Sequence, residues 1–130
     1  MIMVDTSVWI DYFNGNDNPY TQKLDEILVL DIVVIGDIIL TEILQGFRRD
    51  EDFKHAKAVL AALDCFELCG RENAIKSAEN FRSLRKMGIT VRKTTDIIIG
   101  TFCIINNLPL LYADHDFTPL KEHLGLKSAL

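Results

Sequence analysis

Residues Thr94 to Phe117 read TTDIIIGTFCIINNLPLLYADHDF, a largely apolar segment whose acids stand only at its two ends. Asp96 opens an apolar helix, Asn106-Asn107 with Pro109 ends it, and Leu110-Leu111-Tyr112 forms a short buried strand with Asp114 and Asp116 just beyond. In an α/β unit, a helix entering at the edge where a strand leaves brings their flanking carboxylates to one rim. Carboxylates gathered and half-buried there need a cation to stay ionised.

Working outward, the chain alternates strands and helices. Met1 to Asp5 is a short strand ending on an acid, and Thr6-Ser7 starts a helix that runs to Asn14-Gly15. Asn18-Pro19 begins a second helix, Asp31 to Ile35 is a strand closed by Gly36, and Asp37 caps a third helix over Ile38 to Phe47. Arg48 to Asp52 is expected to be a turn, followed by an amphipathic helix over Phe53 to Leu63 with Ala56, Val59, Leu60 and Leu63 inward. Cys65 to Leu68 is a third strand, Arg71 to Lys86 a long basic helix, and Thr118-Pro119 the cap and first residue of a last one. This order predicts an α/β fold: a central parallel sheet of four or five strands, helices on both faces, and a ligand crevice beyond the carboxyl ends of the strands.

The 130 residues suit one domain spanning 1–130, and an apolar content of 48% excludes a disordered chain. The N-terminus lacks a basic region, and the apolar runs are broken by Asp31 or Gly100-Thr101, so neither a signal peptide nor a membrane span is expected. A cytoplasmic protein is predicted, in keeping with three cysteines, an odd number. Cys65 and Cys69 form at most half a metal site, and Cys103 reads as a core residue. The net charge of −5 argues against indiscriminate nucleic-acid binding, yet Arg71, Lys76, Arg82, Arg85, Lys86, Arg92 and Lys93 cluster against only Glu72 and Glu79. That basic segment reads equally as a solvated helix face or a grip on a polyanion, with Arg82, Arg85, Lys86, Arg92 and Lys93 the candidate contacts.

Each acid has an ordinary reading. Asp5 could cap a helix, Glu42 could lie exposed, Asp96 could answer a helix dipole, and Asp114 and Asp116 could form a turn. Together they converge on the predicted rim, with Glu42 bordering the apolar stripe of its helix, and an all-oxygen ligand set selects Mg²⁺ or Mn²⁺. Such ions suit phosphoryl chemistry, holding phosphate oxygens and lowering the pKa of a water. His115, between two of the acids, is expected not to be a direct ligand, and His55 and His123 lie on exposed helix faces.

The motifs DTSVWID at Asp5, an isolated Glu42 in the third helix, TDIIIGT at Asp96 and LPLLYADHDF at the end resemble the PIN-domain ribonucleases, in particular the small VapC toxins of toxin-antitoxin pairs. The resemblance runs over essentially the whole chain. It implies a PIN-like three-layer sandwich and a Mg²⁺- or Mn²⁺-dependent endoribonuclease of a type II toxin-antitoxin system, with Asp5, Glu42, Asp96 and Asp114 as the acidic quartet. Asp116 matches an additional acid, which makes Asp5, Asp96, Asp114 and Asp116 the implied metal ligands, with Glu42 acting through water. Thr6 or Ser7 matches a hydroxyl beside the metal. A homodimer, an antitoxin covering the acidic groove and transfer RNA or ribosomal RNA loops as substrates are also implied. Tyr112-Ala113 departs from the pattern, in which a threonine often precedes the last aspartate.

Three other readings compete: a PIN nuclease of RNA processing outside a toxin system, an aspartate-nucleophile phosphatase, and a receiver-like binding module. The phosphatase chemistry wants an acid two residues after Asp5, where Ser7 stands, and the receiver wants paired acids after the first strand and a late lysine.

Overall fold

The computed structural model describes residues Met1 to Leu130. Four strands, β1 (Ile2–Val4), β2 (Val33–Gly36), β3 (Asp64–Phe66) and β4 (Leu110–Leu111), form one parallel sheet in the order β3-β2-β1-β4. Parallel neighbours require crossovers. They carry α1 (Thr6–Phe13), α2 (Pro19–Leu30), α3 (Asp37–Gln45), α4 (Asp50–Leu60), α5 (Arg71–Lys86) and α6 (Thr94–Ile105), while a 3₁₀ turn at His115–Phe117 and α7 (Thr118–Leu124) follow β4. Successive strand residues face opposite sides, and every residue of β1, β2 and β4 is buried, so both faces of the sheet are covered. α1 packs on α2 and α3, and α3 on α4; separately, α5 packs on α6 and α7. The sheet thus has the lower number of strands expected, and a bridge from Leu110 to Ser128 covers the outer edge of β4.

Several predicted boundaries move, each for a local reason. Gly36 belongs to β2 and occupies the N-cap of α3, and Asp37 is already helical: its Oδ1 accepts from Ile38 N–H at 2.8 Å and from Leu68 N–H at 3.0 Å, tying α3 to the segment after β3. α4 starts at Asp50, inside the predicted turn, because Asp50, Glu51 and Asp52 fill the first turn where the helix dipole favours acids. It ends at Leu60, which leaves Val59 exposed while Ala56 and Leu60 face inward. β3 stops at Phe66, so Leu68 is buried outside the strand. Thr118 is the first residue of α7 rather than its cap. The Asn18-Pro19 start is as expected, with Asn18 Oδ1 accepting from Tyr20 and Thr21 N–H and Thr21 Oγ1 accepting from Asn18 N–H.

Two packing details bring α6 to the site. The inward stripe of α5 is Asn73, Ser77, Asn80 and Leu84, mostly polar, with Asn80 Nδ2 donating to Thr101 Oγ1 of α6 at 3.1 Å and Asn73 Nδ2 to the Ile98 carbonyl at 3.2 Å. On α6, Gly100 lies against Leu120 and Phe117, where a Cβ would run into the Leu120 side chain. This close approach seats the 3₁₀ turn and α7 one helical turn from Asp96.

Candidate active site

Five elements deliver side chains to one cleft of about 280 Å³ at the carboxyl ends of the central strands. Asp5 comes from the end of β1, Thr6, Ser7 and Ile10 from α1, Glu42 and Gln45 from α3, Lys93 and Asp96 from the start of α6, and Asp114 from the segment after β4. Adjacent parallel strands ending at the same edge explain the convergence.

Asp5 stands at the N-cap of α1 but its side chain closes no capping bond; Oδ2 accepts instead from the Ser7 hydroxyl at 3.1 Å. Only 4% exposed, it has its pKa pushed up to about 6 by burial, which the Thr6 and Ser7 groups offset in part and the Glu42 charge reinforces. The hydroxyl of Thr6 donates to Glu42 Oε1 at 2.8 Å, fixing a half-buried carboxylate on the cleft wall. Asp96, 5% exposed, is raised to about 7 by burial and then by the Asp5 charge, with Lys93 opposing. Its Oδ2 is buried with no hydrogen-bond partner.

Beyond β4, Asp114 Oδ1 caps the 3₁₀ turn by accepting from Asp116 N–H at 2.9 Å, so the turn-forming role and a place in the cleft are compatible in one carboxylate. Arg92 lies 3.3 Å from Asp116, and Lys93 Nζ 3.7 Å from Asp114 Oδ2. Asp96, Asp114 and Asp116 offer oxygens that all lie within 4.8 Å of one another, a trio able to hold a metal ion. The orphaned Asp96 oxygen and the all-carboxylate donor set fit a hard divalent cation. The other buried polar atom without a partner, Trp9 Nε1, is a donor and offers nothing to a cation.

The model of the PIN domain matches residues 2–122. The chain belongs to the PIN-domain family. Among curated relatives, the PIN protein is 24% identical over 131 residues to the VapC ribonuclease Mb1587 of Mycobacterium bovis and to ribonuclease VapC11 of Mycobacterium tuberculosis, covering 99% of this chain and 98% of each relative. Among solved structures it resembles VapBC2 of Rickettsia felis bound to a promoter DNA fragment, with a TM-score of 0.77 at 19% identity, covering 98% of this chain and 97% of that one. It also resembles VapBC-1 of nontypeable Haemophilus influenzae, with a TM-score of 0.74 at 18% identity over 98% and 96% of the two chains.

Within this PIN domain the structure brings Asp5, Glu42, Asp96 and Asp114 into one cleft, with Asp116 beside the last two. Asp5 lines the same cleft outside the trio of Asp96, Asp114 and Asp116, near enough for its charge to raise the Asp96 carboxyl. His115 is exposed, as are His55 and His123. Of the basic candidates, Lys93 lines the cleft itself and Arg92 lies on Asp116, while Arg82 and Arg85 line a separate groove between α5 and α6 and Lys86 is exposed outside both. Cys65 and Cys69 gain no third ligand, and the thiol of Cys103 is pushed up to about 12 by burial, as suits a core residue. Ile10 and Gln45 line the cleft although the sequence reading did not include them. Each lies three residues beyond a predicted site residue on the same helix, Ser7 and Glu42, and that spacing was the available signal. No helix is long and apolar enough to cross a membrane.

Proposed function

We infer that this PIN-domain protein is a divalent-metal-dependent endoribonuclease, the toxin of a VapC-type toxin-antitoxin pair, acting in the cytoplasm through one PIN domain over 1–130. The observation that supports it most directly is the buried Asp96 carboxylate, one oxygen of which has no partner, grouped with Asp114 and Asp116 beside a cleft that Asp5 and Glu42 also line.

Asp96, Asp114 and Asp116, with Asp5 in the same cleft, would hold the ion, Mg²⁺ or Mn²⁺, and Glu42 would engage it through water. When bound, the ion supplies charge to the phosphate oxygens and acidifies a water molecule. The chain's own contribution is placement. Ser7 orients Asp5, Thr6 holds Glu42, and the 3₁₀ turn fixes Asp114, leaving little reorganisation for the moment of reaction. Lys93, Arg92 and the arginines of the α5–α6 groove would take the RNA backbone. Ser7 donates to Asp5 where a phosphatase would need a second acid, which disfavours an aspartyl-phosphate route.

The named relatives are ribonucleases, and the structural neighbours were solved as VapBC assemblies. On this basis a homodimer and an antitoxin covering the acidic cleft are proposed, with a transfer RNA or ribosomal RNA loop as substrate. The deciding experiment is cleavage of labelled RNA by the purified chain with Mn²⁺ or Mg²⁺. Asp5→Asn and Asp96→Asn, folded by circular dichroism, are expected to lose about 10²-fold or more in kcat, as when charge stabilisation is removed. Full activity in either variant sinks the assignment. Growth arrest on expression, relieved by the protein of the neighbouring reading frame, separates a toxin from a nuclease of RNA processing.

A further inference from the structure

Lys93 is the one cation among the side chains lining the acidic cleft, where it meets Asp5, Glu42, Asp96 and Asp114. Its ammonium lies 3.7 Å from Asp114 Oδ2, an ion pair too long for a hydrogen bond, and its side chain is 58% exposed. Asp114 Oδ1 is already committed to the Asp116 N–H, so Oδ2 is the oxygen left for a cation, and Lys93 faces that oxygen. The Lys93 main chain is held, its carbonyl accepting from Asp96 N–H at 3.1 Å and Ile97 N–H at 3.4 Å. The fixed backbone and long flexible side chain let the charge swing without moving the helix. An exposed pair of this kind is weak and easily exchanged.

We propose that Lys93 is the cleft's resident counter-ion, competing with the divalent metal for Asp114 and turning to a phosphate oxygen of the RNA once the metal is bound. This rests on the nuclease reading for its substrate and on the geometry alone for the competition. A compact ammonium suits both tasks, because it binds carboxylate and phosphate as a point charge and needs no planar, two-pronged fit. With the ion on Asp114, the ammonium is released from that carboxylate and its exposed, flexible side chain can turn to the incoming phosphate. Lys93 would therefore weaken metal binding in the free protein and strengthen substrate binding in the loaded one, opposite signs that a purely structural salt bridge cannot produce.

The test uses Lys93→Met and Lys93→Arg in the full chain. Isothermal titration with Mn²⁺ alone is expected to show Lys93→Met binding the ion about threefold to tenfold tighter than wild type, since a competing like charge is gone. At saturating Mn²⁺, the Kd of a short unmodified RNA, measured with Asp5→Asn present in every variant to slow cutting, is expected to rise about tenfold when Lys93→Met is added and to recover with Lys93→Arg. Unchanged or weaker Mn²⁺ affinity in Lys93→Met overturns the competition. An unchanged RNA Kd overturns the phosphate contact. Because neither readout requires cleavage, a wild-type protein that binds this RNA but cuts none would refute the nuclease reading while these measurements still decide the role of Lys93.

Discussion

At the seam between α5 and α6, Asn73, Ser77, Asn80 and Thr101 are buried as deeply as Asp5 and Asp96 are in the cleft. At the seam the groups answer one another: Asn73 donates to the Leu68 and Ile98 carbonyls and accepts from Ser77, and Asn80 donates to Thr101. In the cleft the burial is left uncompensated, with one Asp96 oxygen unpartnered and two carboxyl groups raised to about 6 and about 7. Burial of polar groups therefore does not by itself mark a functional site. A satisfied network stabilises and specifies packing, whereas an unsatisfied acidic one costs stability and persists where something else supplies the missing partner.

The contrast breaks most sharply under substitution of the seam. Asn73→Ala would strand two carbonyls and the Ser77 hydroxyl, and a loss of about 2–4 kcal/mol is expected in urea unfolding. A loss under about 0.5 kcal/mol, the range of ordinary surface changes, would show that the seam is no more satisfied than the cleft.

Acidity sharpens the comparison from the other side. Asp5 and Asp96 have folded-state pKa values above their ordinary 3.8, so the metal-free folded state holds more protons than the unfolded chain between about pH 4 and 7. Their contribution is full below 3.8 and is lost as pH rises through about 6 to 7. Asp31, shifted down by its bond to the N-terminal ammonium, is ionised in both states above pH 5 and does not blur that window. In EDTA the protein is expected to be about 2 kcal/mol more stable at pH 5 than at pH 8, and millimolar Mn²⁺ at pH 8 to recover much of the difference by binding the native state alone. Melting curves that are flat with pH and indifferent to Mn²⁺ would remove the cleft's strain from the account.

The smallest effect is expected from Asp96→Asn. In EDTA at pH 8 it should stabilise the fold by about 1 kcal/mol, since a neutral amide is cheaper to bury than a carboxylate, and it should flatten the pH slope. Destabilisation at that pH would mean that the Asp96 charge is already compensated within the protein.

Much of this was legible from particular residues. The stops at Asn106-Asn107-Pro109, the caps at Asn18-Pro19 and the acids at strand ends announced alternating elements and the rim where Asp5, Asp96 and Asp114 meet. α5 shows where such reading runs short. Its length was evident from Arg71 to Lys86, but its inward face was not, because hydrophobic periodicity does not register a stripe of Asn73, Ser77 and Asn80 whose partners lie on another helix. Val59 was misplaced because amphipathic spacing does not say where α4 ends or how far the stripe reaches toward the sheet. Gly100 read as an interruption of an apolar run, and only the approach of Leu120 shows it to be the contact that seats the turn carrying Asp114 and Asp116.

By itself the sequence determined the alternation of strands and helices and the identity of the acids, since both follow from local pattern and from the cost of leaving carboxylates near a core. The tertiary structure alone decided which acids pack into a tight trio, that Thr6 holds Glu42 while Ser7 holds Asp5, and that Lys93 lies within the cleft. Those outcomes depend on ångström-scale distances between elements far apart in the chain, and such distances are set by how helices and sheet pack.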